Sequence, residues 1–94
     1  MAWCRARVAT VTLTRRRSRS VLLLEFEVLD GEHKGRKAKD YIEPENVYQE
    51  CHYAALVGAL GGASPKVDDT LEIKLDGPSV DLRVSFKGYR RSSQ

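Results

Sequence analysis

Little in this chain lends itself to cross-linking, membrane insertion or catalysis. It has two cysteines, Cys4 and Cys51, at a spacing that forms neither a CxxC pair nor a Cys/His ligand pattern. His52 adjoins Cys51, but neighbours in a helix do not face each other, so the two are poor co-ligands for one metal. Both thiols are expected to be small buried apolar groups in a reducing compartment, with no disulfide and no metal. No apolar run approaches the ~20 residues that span a bilayer. Met1-Ala2-Trp3-Cys4-Arg5 lacks the apolar core of a secretory leader, so a cytoplasmic location is expected. Aromatics are scarce, with two Phe, one Trp and four Tyr. No Ser/His/Asp or Cys/His set has supporting context, and no phosphate-binding loop is present. The segment Gly31-Glu32-His33-Lys34-Gly35 lacks the strand–loop–helix setting of a phosphate cradle. His33 and His52 read as structural or solvent-facing. The expectation is a protein that is not an enzyme and holds no cofactor.

What the chain does have is charge placed unevenly. Its 94 residues make one domain, and a chain of this size buries roughly 60–65% of its unfolded surface. Hydrophobic and charged contents of 41% and 31% are those of an ordinary globular fold. The net charge of +3 is mild, yet Arg5, Arg7, Arg15, Arg16, Arg17 and Arg19 fall in the first twenty residues, which contain no acid. A local positive field of that kind favours anionic partners.

Patterning gives five strands and a helix. Arg7 to Thr14 alternates and is rich in β-branched residues. The arginine-rich turn follows, then a stronger strand from Val21 to Leu29. Leu22, Leu24, Phe26 and Val28 share one of its faces, while Leu23, Glu25 and Glu27 take the other. Asp30-Gly31 and Lys34-Gly35 bracket a tight connection. In a third strand, Gly35 to Pro44, Ala38 and Ile42 suit the core, and Lys37, Lys39 and Tyr41 project from the opposite side. From Asn46, a candidate N-cap, the period becomes helical, with Tyr53, Leu56, Val57 and Leu60 as the apolar stripe and Gly61-Gly62 as the stop. Thr70 to Asp76 and Ser79 to Tyr89 alternate again, joined by Asp76-Gly77-Pro78. Leu71, Ile73 and Leu75, then Val80, Leu82, Val84 and Phe86, face inward, with Asp81, Arg83, Ser85 and Lys87 outward. Residues 90–94 read as a flexible polar tail.

The order β-β-β-α-β-β predicts a mainly β chain with the OB-fold, a five-stranded Greek-key barrel with one helix between strands 3 and 4. A β-grasp or an SH3-like barrel with an inserted helix are the competing architectures. On an OB-fold, oligonucleotides cross the strand 2–3 face, flanked by the loops between strands 1 and 2 and between strands 4 and 5. Arg15, Arg16, Arg17 and Arg19 would then form the tip of the first loop, beside Lys37, Lys39 and Tyr41 on strand 3, with Arg36 at its start. Cations that track a backbone, with an aromatic to stack a base, suit sequence-tolerant single-strand binding. Tyr41 is the leading stacking residue, with Tyr48, Tyr89 and Trp3 in reserve. Five phosphate contacts would give a log–log salt slope of about −3.5. Against this stand plainer readings. The arginines would serve equally as a solvated loop that protects a sheet edge, and Trp3 as a cover for a barrel end. Glu25 and Glu27 would pair with Lys37 and Lys39 across the sheet, which counts against an anion site there.

The run from Phe26 to Ile42 resembles a family of small bacteriophage proteins, long known only as a domain of unknown function, from phage replication and recombination cassettes. The shared features are Glu25-Phe26-Glu27-Val28, Gly31, Lys34-Gly35-Arg36-Lys37, and an alanine- and leucine-rich helix ending in glycine, here Ala54 to Gly62. The likeness extends over roughly Val21 to Tyr89. It implies an OB-like, non-catalytic single-stranded-DNA-binding protein of phage-type replication or recombination, with proteins of those processes as further partners. Two departures stand out: the segment Glu43 to Glu50 is more acidic than the family pattern, and the arginine loop is heavier. Backbone contact alone leaves RNA open as a ligand, and homo-oligomers stay open because no interface is marked. The alternative in a different class is a protein-interaction module that docks by its basic loop or an edge strand.

Overall fold

The computed structural model describes residues 3–77 and 83–87. Five strands form one antiparallel sheet: β1 (Cys4–Arg16), β2 (Arg19–Val28), β3 (Lys37–Ile42), β4 (Thr70–Asp76) and β5 (Arg83–Phe86). A 3₁₀ turn, Val47–Gln49, leads into the single helix α1, Glu50–Ala59, between β3 and β4. The spatial order is β3-β2-β1-β4-β5. β1 lies at the centre because it is long enough for two partners. Its first residues pair with β4, from Cys4 opposite Ile73 to Arg7 opposite Thr70. From Ala6 onward it pairs with β2, as far as Arg16 opposite Arg19. The register slips once, between Val8 and Thr10. There the 66–69 loop joins β1: the Val8 N–H donates to the Asp69 carbonyl, and the Asp68 N–H donates to the Val8 carbonyl, both at 2.8 Å.

Period-2 alternation puts one face inside. Ala6, Val8, Leu24, Phe26, Val28, Ile42, Ile73 and Leu75 are buried there, and Leu56 of α1 covers them. Phe26 and Phe86 meet edge to face, with centroids 5.6 Å apart, an arrangement aromatic quadrupoles favour. The inward and outward sides expected for β2, β3, β4 and the described part of β5 are those observed. Val80, Leu82, Asp81 and Tyr89, the Pro78 turn and the 90–94 tail lie outside the described residues.

Several boundaries differ from the sequence reading. The arginines are not a loop: Arg15 and Arg16 end β1, Arg19 opens β2, and the turn is Arg17-Ser18 alone. Cross-strand pairing carries the ladder farther than β-propensity suggests, because each added pair satisfies backbone groups that a loop would leave to water. Asn46 caps the 3₁₀ turn through its side chain on the Tyr48 N–H, at 2.9 Å, and the α-helix starts only at Glu50. The helix ends as expected: Gly61 has φ +75°, its N–H donates to Gly58, and the Gly62 N–H donates to Val57. This is the Schellman pattern, which needs a left-handed residue at that point. The apolar stripe is altered. Ala55 and Ala59 join Tyr53 and Leu60 against the core, while Val57 turns to a surface groove with Tyr53 and Gly58. Neither thiol is fully buried, since Cys51 is exposed and Cys4 half-buried. Burial, with the Asp30 carboxylate adding to it, raises the Cys4 pKa.

The edge strands β3 and β5 approach to within 8 Å between Cα atoms, but no ladder joins them among the described residues. Helix α1 bridges them. His52 lies 2.7 Å from the Asp40 carboxylate on β3 through Nε2, and its ring lies 4.9 Å from that of Phe86 on β5. Among the described residues, no helix is long and apolar enough to cross a membrane.

The hydrogen bond that the His52 ring donates to the Asp40 carboxylate raises the His52 pKa, with burial opposing and the Asp40 charge adding to the rise. A raised folded-state pKa means the stabilisation is full below the unfolded value near 6.5 and is lost as pH rises through the folded one. Thermal melting between mildly acidic and mildly alkaline pH should therefore fall as pH rises. His52→Gln should melt lower under acid conditions and lack that component of the slope. An unchanged slope in the variant would dismiss the clasp.

Candidate nucleic-acid interface

The outer face of the sheet is built row by row. Residues directly opposite on paired strands point the same way with Cβ atoms about 5 Å apart. Thr12, Leu23 and Tyr41 make one such row, and Thr10, Glu25 and Lys39 the next. Both rows line an open groove of about 780 Å³, whose far wall includes Arg83 of β5 and His52. That volume lies within the range of small-molecule sites. Leu23 and Tyr41 are 38% and 42% exposed, an apolar shelf flanked by charge.

At the hairpin end the same face carries Arg16 and Arg19, directly opposite each other. With Arg17 they line a second recess that also contains Tyr41 and Glu43. Tyr41 is thus common to the groove and the arginine recess. Glu43 sits among these cations: Arg19 Nη1 is 3.7 Å from one carboxylate oxygen, and the Tyr41 hydroxyl donates to the other at 3.3 Å. Asn46 donates to Glu43 at 3.1 Å, and the Ser20 N–H donates to Glu45 at 3.2 Å. The acidic segment after β3 therefore fastens the neck of the hairpin.

The expected site residues divide accordingly. Arg16, Arg17, Arg19 and Tyr41 come together, and Lys39 joins them through the groove. Arg15 does not, because its guanidinium folds back and donates to the Ser18 carbonyl at 2.9 Å. Lys37 lies farther along β3, opposite Glu27, and Arg36 precedes the strand with its carbonyl taken by the Val28 N–H. The cross-strand charge pairs are opposed in register, Glu25 to Lys39 and Glu27 to Lys37, yet Glu27 bonds Arg7 instead, at 2.9 Å. Arg7 also holds Asp68 at 2.7 Å, and these two carboxylates raise its pKa. Its charge is matched by two carboxylates at 2.9 and 2.7 Å, whereas on the hairpin Arg19 has one longer contact, 3.7 Å to Glu43. Among the reserve aromatics, Trp3 carries Lys74 Nζ 5.0 Å above its ring, and Tyr48 is 93% exposed on the 3₁₀ turn.

Arg83, Leu23 and Glu43 were not singled out as site residues by sequence. Arg83 shows no signal beyond an outward position on its strand, since its place depends on β5 returning beside β3. Leu23 carried one: it is an exposed apolar residue on the face of β2 that bears Glu25 and Glu27.

Compared with known proteins, the chain matches no protein family, no curated sequence and no solved structure.

The turn itself is unusual. Arg17 and Ser18 have φ of +51° and +68°, the two-residue type I′ geometry that ordinarily takes Asn-Gly. Holding non-glycine residues left-handed costs about 1 kcal/mol or more. The double change Arg17→Asn, Ser18→Gly should raise stability by roughly 1 kcal/mol, which is about 5 °C in Tm for a domain of this size. Calorimetry that finds no gain would show that the turn is unstrained.

Proposed function

We propose that this chain is a non-catalytic single-stranded-DNA-binding protein with an OB-type architecture, acting in phage-type replication or recombination. The observation that carries the reading is the junction at Tyr41, where three arginines of one hairpin and the lysine-bearing groove of the sheet meet on one face. The architecture is supported by the strand order β3-β2-β1-β4-β5, by the helix between β3 and β4, and by the approach of the β3 and β5 edges. The replication or recombination setting rests on the family resemblance alone.

In this reading Arg16, Arg17 and Arg19 neutralise phosphates, and Tyr41 stacks a base. Lys39 extends the cationic track toward Arg83. A stacked base contributes about 1–3 kcal/mol, and the rest of the affinity comes from counterion release. With one well-placed aromatic and several cations, charge dominates the affinity. Glu43 occupies Arg19 in the free protein, so an incoming phosphate takes over a contact that is already made.

A second reading, a protein-interaction module, draws on the apolar groove along α1 formed by Tyr53, Ala54, Val57, Gly58 and the two following glycines. Oligonucleotide length separates the two. A strand binder gains affinity with strand length, whereas an adaptor is indifferent to it.

The test is a salt titration with a labelled mixed-sequence single strand. The triple change Arg16→Ser, Arg17→Ser, Arg19→Ser should weaken binding and flatten the log–log salt slope by about 2, on ~0.7 per phosphate contact. Arg15→Ser should leave the slope nearly unaltered. Equal slopes in parent and triple variant would overturn the assignment, and so would duplex DNA or RNA as the better ligand.

A further inference from the structure

The outer groove holds a carboxylate that a purely phosphate-binding surface has no use for. Glu25 is half-buried on its floor, opposite Lys39 on one side and Thr10 on the other. The ion pairs among the described residues involve Arg7, Arg19, His52 and Lys87, and none of them reaches Glu25. A free carboxylate repels a phosphodiester at close range. It suits a neutral ring that offers N–H groups. The row beside it is the Leu23–Tyr41 shelf, one side-chain repeat or roughly 7 Å along the strands, a step that a flat heterocycle and one hydrogen bond can bridge.

We infer that the groove seats a nucleobase, and that Glu25 makes it discriminate in favour of bases with an exocyclic amino group, cytosine over uracil or thymine. This rests on the reading of the chain as a single-strand binder. The base lies on Tyr41 and Leu23, with its phosphate turned toward the arginines that share Tyr41. A carboxylate only accepts and an ammonium only donates. Cytosine matches both: its N4 amino group donates to Glu25, the pairing found when acidic side chains read a base edge, and its N3 and O2 accept from Lys39. In uracil the amino group becomes a carbonyl. In the same seating the uracil O4 faces the carboxylate and its N3–H faces the Lys39 ammonium, so acceptor meets acceptor and donor meets donor, and a base must shift along the groove to bring N3–H to Glu25.

The experiment compares oligo-dC with oligo-dU of equal length, at mildly alkaline pH so that cytosine stays unprotonated, for the parent protein and Glu25→Gln. The parent should bind oligo-dC about tenfold more tightly, the low end of discrimination by a specific base contact. Glutamine both donates and accepts, so the variant should bind the two polymers within about twofold. The salt slope should be the same for both polymers in each protein, because phosphate contacts do not depend on the base. Equal binding of the two polymers by the parent would overturn the base assignment and leave single-strand binding standing. A preference that persists in the variant would remove Glu25 from the role. Failure to bind either polymer at low salt would take the underlying reading down as well.

Discussion

The β1–β2 ladder is the constraint on which the rest of the molecule depends. It runs through ten paired positions from Ala6–Val28 to Arg16–Arg19, and β2 passes the same register on to β3. Side chains alternate strictly, so a slip of one residue would exchange the two faces along the whole strand. Phe26 and Leu24 fix the choice because their burial allows only one of the two registers. Once they are inside, Leu23, Glu25 and Arg19 must be outside, and Lys39 and Tyr41 must stand beside them. The outward chemistry is therefore a by-product of the core. The outward side chains Leu23, Glu25, Lys39 and Tyr41 are ordered by that ladder and need not hold it together.

Two smaller fastenings refine this frame. His52 reaches from α1 to Asp40 while lying against Phe86, and so ties the outermost strands to the helix at one point. Glu43 and Glu45 hold the hairpin neck from the segment after β3. The second contact explains a compositional oddity, an acidic stretch close in sequence to a basic surface. Its carboxylates reduce the mutual repulsion of the arginines in the free protein, and ions in solution compete with them. Exposed pairs of this kind are individually weak, which keeps the arginines available.

Much of the fold was legible because it follows from periodicity. Strand faces, the glycine stop of α1 and the β–β–β–α–β–β order are short-range signals with a direct physical cause. The extent of the arginine turn was not legible. A type I′ turn announces itself by Asn-Gly, and Arg17-Ser18 carries no such mark; only the ladder on either side imposes it. Arg7 was misleading for another reason, since its partners Glu27 and Asp68 are distant in sequence and together occupy its guanidinium. Val57 had the correct spacing for the core but lost its place to Ala55 and Ala59, because a short helix pressed close to a sheet admits small residues at the contact. Of the candidate site, the sequence revealed the charges. It did not reveal which of them share a recess, because Arg15 and Arg16 are neighbours in the chain and point to opposite faces.

Leu13 is 68% exposed although it stands opposite buried Leu22 on the inward side of the ribbon. Beyond the Thr14–Val21 row, where Val21 is still buried, the end of the hairpin projects past the packed interior, and Arg15 to Arg19 are all exposed. Bonds there open at a small fraction of the global unfolding free energy. The arginine-bearing tip is thus a short ribbon held by its own ladder and by the Glu43 and Glu45 contacts at its neck, and its amides should exchange sooner than those of the rows beside Phe26.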